Sequence, residues 1–154
     1  MIQQKILMVD DQPANLVSLD AILEAPHREL IKAHSGPEAL KVLLKEDISL
    51  VLLDVQMPGM DGFEVAELMR QRKDTQNIPI IFVTAISKEQ KYVFKGYQSG
   101  AVDYLFKPLD PLILQSKVNF FLQLDQQRRE LQAKLKEAQA YRAAYEAEKQ
   151  RGGK

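Results

Sequence analysis

Cysteine is absent from this 154-residue chain, which excludes a disulfide framework, a thiolate metal site and a cysteine nucleophile. Net charge is absent too, because 21 basic residues balance 21 acidic ones, so no overall field directs the chain to nucleic acid or to an anionic membrane. No apolar stretch approaches the roughly 20 residues of a membrane span. The opening MIQQKILMVDD meets acidic residues too soon for a secretory signal. These absences read as a cytoplasmic protein with no membrane partner and no direct nucleic-acid partner. The two histidines, His27 and His34, read as ordinary surface or edge residues. What is present suffices for one domain with a buried core and an appendage, since 45% of the residues are hydrophobic.

The chain is organised around Leu50 to Gly62, LVLLDVQMPGMDG, where four apolar residues run into Asp54 and a turn-forming PGMDG follows. An apolar run bounded in this way suits a strand covered on both faces, as in a parallel sheet. Lys5 to Val9 repeats the pattern and ends on Asp10 and Asp11. Pro13 opens a helix through about Glu24 with Leu16, Leu19, Ile22 and Leu23 on one face. Glu29 to Ala33 is a weaker strand. Ser35 and Pro37 start a helix over Glu38 to Lys45, with Ala39, Leu40, Leu43 and Leu44 as its apolar face. An amphipathic helix follows over Gly62 to Arg72, carrying Phe63, Val65, Ala66, Leu68 and Met69, then a strand over Ile78 to Ala85 with Thr84 at its end. A helix from Ser87 to about Ser99 comes next, then a strand over Ala101 to Phe106, then Lys107-Pro108. Asp110 and Pro111 begin the last helix as N-cap and first-turn residue. Strands that alternate with helices predict a doubly wound, five-stranded parallel sheet. Residues 1–122 form this domain. Residues 123–154, which lack glycine and proline until Gly152, read as one extended, coiled-coil-like helix outside the core.

In such a sheet the carboxyl ends of the strands share one edge, where ligands bind. That edge collects Asp10, Asp11, Asp54, Thr84 and Lys107. Two unscreened carboxylates about 4 Å apart repel by roughly 4 kcal/mol at an effective dielectric of 20, so the cluster should hold a proton or a hard cation. Oxygen-only ligands favour Mg2+. A carboxylate nucleophile with a cation, a lysine and a hydroxyl suits phosphoryl transfer, and Asp54 is the candidate acceptor.

These residues, in this order and spacing, resemble the CheY-like receiver domain of bacterial two-component response regulators, from Lys5 to about Leu122. The resemblance implies a signalling module, not an enzyme in its own right, that takes a phosphoryl group onto Asp54 from a sensor histidine kinase or histidine phosphotransfer protein. It implies Asp11, Asp54 and the backbone carbonyl of Gln56 as direct Mg2+ ligands, with Asp10 acting through water. Thr84 would bond a phosphoryl oxygen, Lys107 would pair with the phosphoryl group, and Thr84 with Tyr104 would form the switch. A cis peptide before Pro108 is implied as well. Gln56 and Ile86 stand where the family varies the lifetime of the phosphoryl group.

Three rivals fit less well. An aspartate-nucleophile phosphohydrolase needs a second acid two residues after its nucleophile, and Gln56 is an amide. A flavodoxin-like cofactor binder needs a glycine-rich phosphate cradle, and the first turn here is DDQPAN. A degenerate scaffold would not retain the full set of aspartates, threonine and lysine. For output, the chain reads either as a receiver fragment of a larger kinase, diguanylate cyclase or phosphodiesterase, or as a signal relayed through its helix. Steps of three and four from Phe121 give Phe121, Leu124, Arg128, Leu131, Leu135, Ala138, Arg142, Tyr145 and Lys149, six of nine apolar. That seam predicts a parallel homodimer, with its arginines and lysine lowering stability and fixing register.

Overall fold

A computed structural model describes residues 3–85 and 103–152 of the chain. Its strands are β1 (Gln4–Val9), β2 (Arg28–Ala33), β3 (Leu50–Leu53), β4 (Ile80–Thr84) and β5 (Asp103–Phe106). The helices are α1 (Pro13–Leu23), α2 (Gly36–Lys45), α3 (Gly62–Gln71) and α4 (Pro111–Gly152). All strand pairs are parallel, in the order β2-β1-β3-β4-β5. The doubly wound parallel sheet expected from the alternating pattern is therefore the fold. The helix expected over Ser87 to Ser99 lies outside the described residues, as do Ala101 and Val102.

Strand burial follows the pleat on two covered faces. Leu7, Val9, Val51, Leu53, Ile80, Phe82 and Tyr104 join one core cluster with Ala39 and Leu43 of α2 and Phe63, Val65, Ala66 and Met69 of α3. Their alternate neighbours Ile6, Met8, Leu50, Leu52 and Ile81 are equally buried, as are Leu16, Leu19 and Leu23 of α1. An apolar side chain of this size contributes about 1.5–3 kcal/mol when fully buried, so the central strands anchor the fold. Gln115 donates to the Ile22 carbonyl at 3.0 Å, and Arg28 donates to the Leu23 carbonyl at 2.8 Å and to Asn119 at 2.7 Å. These bonds tie the end of α1 to the opening turns of α4.

Helix starts follow the sequence signals. Ser35 accepts from the Glu38 N–H, Asp61 from the Glu64 N–H, and Asp110 from the Leu112 N–H, each satisfying a donor that the first turn leaves unpaired. β4 begins at Ile80 and not at Ile78, because Pro79 has no N–H for the ladder and the Ile78 N–H turns back to the Thr75 carbonyl at 3.2 Å. Two residues expected on buried faces are open to solvent: Leu44 is 59% exposed and Leu68 is 37% exposed. Together they line a groove of about 330 Å³ between α2 and α3.

The chain divides into two compact units, Met1–Phe121 and Leu122–Lys154. α4 passes from one to the other without a break. In the second unit the Asp125 carboxylate is buried and holds Arg128 at 3.0 Å and Arg129 at 2.8 Å. Leu131, Leu135, Tyr141 and Tyr145 are exposed.

Candidate functional site

The predicted carboxylates meet at the carboxyl edge of the sheet. Asp10 and Asp11 follow β1 directly and Asp54 follows β3, so adjacent central strands deliver them to one point. The ladder continues one bond past the strands: the Asp10 N–H donates to the Ala33 carbonyl at 3.1 Å and the Asp54 N–H to the Val9 carbonyl at 3.0 Å. Both backbones are therefore fixed by the sheet and not by a loop. Carboxylate oxygens of Asp10, Asp11 and Asp54 lie within 4.8 Å of one another. Lys107 follows β5 and reaches across, with Nζ 3.1 Å from Asp10 Oδ2 and 3.9 Å from Asp54 Oδ2. Its own N–H donates to the Thr84 carbonyl at 3.0 Å, which brings the buried end of β4 beside it. The Lys107–Pro108 peptide is cis, as the resemblance implies.

Burial sets the electrostatics. Asp54 is pushed up to about 6, first by removal from water, with the Asp10 charge adding to the rise. Lys107 and the backbone N–H groups of Gln56 and Val55 pull the other way. Burial wins because one ammonium shared between two carboxylates neutralises neither fully. Among the described residues three carboxylates face one lysine, which leaves excess negative charge, and the donors are all oxygen. Such a set fits a hard divalent cation. Gln56 is exposed on the loop just past Asp54.

Tyr104 is buried, 7% exposed, in a row of rings. It stacks on Phe106 with centroids 5.5 Å apart and meets Phe82 at 5.3 Å, while Phe82 meets Phe63 edge-on at 5.1 Å. Its side chain therefore points into the core cluster. Ile86 lies outside the described residues. His34, just past β2, is exposed and faces Glu38 in the first turn of α2 at 3.5 Å.

Two residues that sequence reasoning passed over belong to the site. Asn15 donates from Nδ2 to Asp10 Oδ2 at 3.1 Å, while the Gln12 N–H donates to Asp10 Oδ1 at 2.9 Å. Gly62 closes α3 onto the end of β3, its N–H donating to the Val55 carbonyl at 2.9 Å. The signal for Asn15 was its place in the first turn of a helix that starts just after the acidic pair. The signal for Gly62 was a glycine directly after the N-cap Asp61.

Fold and site together define a signal-receiving α/β module with an acidic edge. Residues 6–119 match the response regulator receiver domain, and the chain belongs to that family, the receivers of two-component systems. It is 40% identical over 114 residues to the response regulator PleD of Caulobacter vibrioides, covering 74% of this chain and 25% of that protein. It is 40% identical over 121 residues to a probable cyclic di-GMP phosphodiesterase of Vibrio cholerae, covering 79% of this chain and 27% of that one. The chain thus spans about a quarter of the length of these relatives. Among solved structures it resembles the receiver domain of a sensor histidine kinase from Pseudomonas aeruginosa, with a TM-score of 0.70, 26% identity, and coverage of 77% of this chain and 97% of that domain. That structure is described with a magnesium ion coordinated in its active-site cleft. Receiver domains bind Mg2+ at an acidic pocket and work with histidine kinases. No helix among the described residues is long and apolar enough to cross a membrane.

Proposed function

We propose that Asp54 accepts a phosphoryl group from the phosphohistidine of a sensor histidine kinase or a histidine phosphotransfer protein. The carrying observation is Lys107 Nζ set 3.1 Å from Asp10 and 3.9 Å from Asp54 within a tight carboxylate cluster. An Asp54 carboxylate oxygen forms the new P–O bond, the P–N bond to the imidazole breaks, and the ring nitrogen keeps the electron pair. Lys107 is poised to follow the negative charge from Asp10 to the transferred group, as a compact ammonium on a flexible stem can. Thr84 supplies a hydroxyl at the same edge. Asp11, Asp54 and the Gln56 carbonyl would hold Mg2+, with Asp10 acting through water. When bound, the cation supplies charge neutralisation for the entering phosphoryl oxygens.

Tyr104 serves with Thr84 as the switch: the added charge at the strand edge favours one of two pre-existing arrangements by its difference in interaction with them. We divide the chain functionally into a receiver over residues 1–122 and a helical segment over 123–154. The helix pairs two chains in parallel along the seam from Phe121 to Lys149. The receiver assists its own phosphorylation and dephosphorylation, and any output enzyme lies outside this sequence. A second reading makes the chain the receiver part of a longer kinase, diguanylate cyclase or phosphodiesterase, favoured by its match to a quarter of a probable cyclic di-GMP phosphodiesterase. A module charged by a histidine kinase works in the cytoplasm.

Intact-mass analysis after treatment with acetyl phosphate and Mg2+ tests the assignment. One phosphoryl group is expected on the wild type and none on Asp54→Ala, and a chelator should stop the reaction. Equal phosphate on the variant would overturn it.

A further inference from the structure

We propose that Asn15 is a positioning residue that keeps the Asp10 carboxylate in place for the cation when Lys107 leaves it for a phosphorylated Asp54. The inference rests on the reading of Asp54 as acceptor and of the acidic cluster as an Mg2+ site.

The Asp10 side chain is only 3% exposed. A carboxylate so buried depends on protein donors for its lone pairs. Among the described residues three reach it: the Gln12 N–H on Oδ1 at 2.9 Å, and Asn15 Nδ2 and Lys107 Nζ on Oδ2, each at 3.1 Å. The two donors on Oδ2 differ in what binds them there. Lys107 comes from the far side of the site and already lies 3.9 Å from Asp54 Oδ2. Its charge and its four-carbon stem take it toward a phosphoryl group once that group carries up to two negative charges.

Asn15 cannot follow. It sits in the first turn of α1, with its N–H on the Gln12 carbonyl at 3.1 Å and Nδ2 also 3.5 Å from Gln12 Oε1. A neutral amide feels no comparable pull from the phosphoryl group. When Lys107 moves, each Asp10 oxygen therefore still keeps one donor. Without Asn15, Lys107 would be the one donor to Oδ2 among the described residues, and the same lysine would be needed in two places. Lys107 would then stay on Asp10, or Asp10 would turn away to find water, and either response weakens the hold on the cation.

Calorimetric titration of the full chain with Mg2+ alone tests this in five proteins: wild type, Asn15→Leu, Asn15→Gln, Lys107→Met and the Asn15→Leu/Lys107→Met pair. Asn15→Leu is expected to weaken Mg2+ binding about ten-fold, the lower end for residues that orient metal ligands. Asn15→Gln, which restores a donor amide on a longer arm, is expected to recover most of that loss. The loss should be larger in the Lys107→Met background, where Asn15 is the one side-chain donor left on Oδ2 among the described residues. Melting of the metal-free proteins separates positioning from a structural role. A merely structural Asn15 would lower the metal-free Tm and leave Mg2+ affinity where it was, and that result overturns the inference. So does an equal loss in the two lysine backgrounds, or a Gln variant as weak as the Leu variant. A wild type that binds no Mg2+ removes the cation site and this inference with it, whereas normal wild-type binding with an unaffected Asn15→Leu overturns this inference alone.

Discussion

Gly62 packs so closely on Asp54 that a β-carbon at position 62 would lie 2.3 Å from the Asp54 carbonyl oxygen and 2.9 Å from the Val55 α-carbon. Both obstacles are backbone, so no side chain can swing aside. Gly62→Ala must push the start of α3 away from the end of β3, where the proposed acceptor Asp54 is carried. The expected cost is about 1–3 kcal/mol of stability, as for overpacking elsewhere, together with slower phosphate uptake at Asp54. Urea denaturation and intact-mass time courses measure the two effects. A variant as stable and as fast as wild type would show that α3 is not seated against Asp54.

Asp54 gives the metal-free protein a pH dependence of definite sign. Its carboxyl is raised from an ordinary 3.8 to about 6 in the folded chain, so the folded state binds the proton more tightly than the unfolded state does. The stability this contributes is complete below the unfolded value and is lost as pH rises through about 6. Melting curves in chelator between pH 5 and 8 should therefore show Asp54→Asn gaining on wild type as pH rises, with Mg2+ returning the difference to wild type. A constant difference across that range would refute it.

Arg70 closes the connection from α3 to β4. Its Nη1 donates to the Gln76 carbonyl at 2.7 Å and to the Ile78 carbonyl at 2.8 Å, with the Thr75 carbonyl at 3.5 Å. A lysine also carries its donors on one nitrogen, but its shorter stem and tetrahedral, non-planar head cannot place them where the guanidinium Nη1 lies. Arg70→Lys should cost about 1–2 kcal/mol and Arg70→Met more, since hydrogen bonds to charged groups contribute about 1.5–3 kcal/mol each. Chemical denaturation of the two variants checks both the cost and its order.

The proposed dimer makes a further demand on α4. Leu131 and Leu135 are 69% and 58% exposed, and a helix this open needs a partner to stabilise it. Leu131→Glu/Leu135→Glu places two charges on the seam and should convert a dimer to a monomer, read by sedimentation equilibrium at micromolar concentration. The receiver should still take up phosphate, because the acidic cluster lies wholly within the first unit. A wild type that is already monomeric would rule out the pairing.

What could be read from the chain was what is local. Asp10, Asp11, Asp54, Thr84 and Lys107 each sit at the end of an apolar run, so periodicity alone brings them to one edge. Ser35 and Asp110 announce helix starts through their own side chains. What could not be read depends on which neighbour the fold supplies. Leu44 and Leu68 have the spacing of buried residues, but they fall at the margin of the α2–α3 contact and stay wet. Asn15, Gly62 and Arg70 do not announce their partners in sequence, because these are a carboxylate on another element, a backbone carbonyl just past β3 and a loop that must turn first.

The placing of the aspartates on β1 and β3 also fixes how long the site lasts during thermal motion. Amide hydrogens in fully buried inner strands exchange with solvent only when the whole domain opens, while edge strands such as β2 can fray and close many times in between. Asp54 bonds back into the inner ladder through Val9 of β1, whereas Asp10 bonds to Ala33 at the end of the edge strand β2. The Asp54 amide therefore belongs with the slow-exchanging inner strands, while the Asp10 amide should exchange sooner, with openings that carry away the β2 edge.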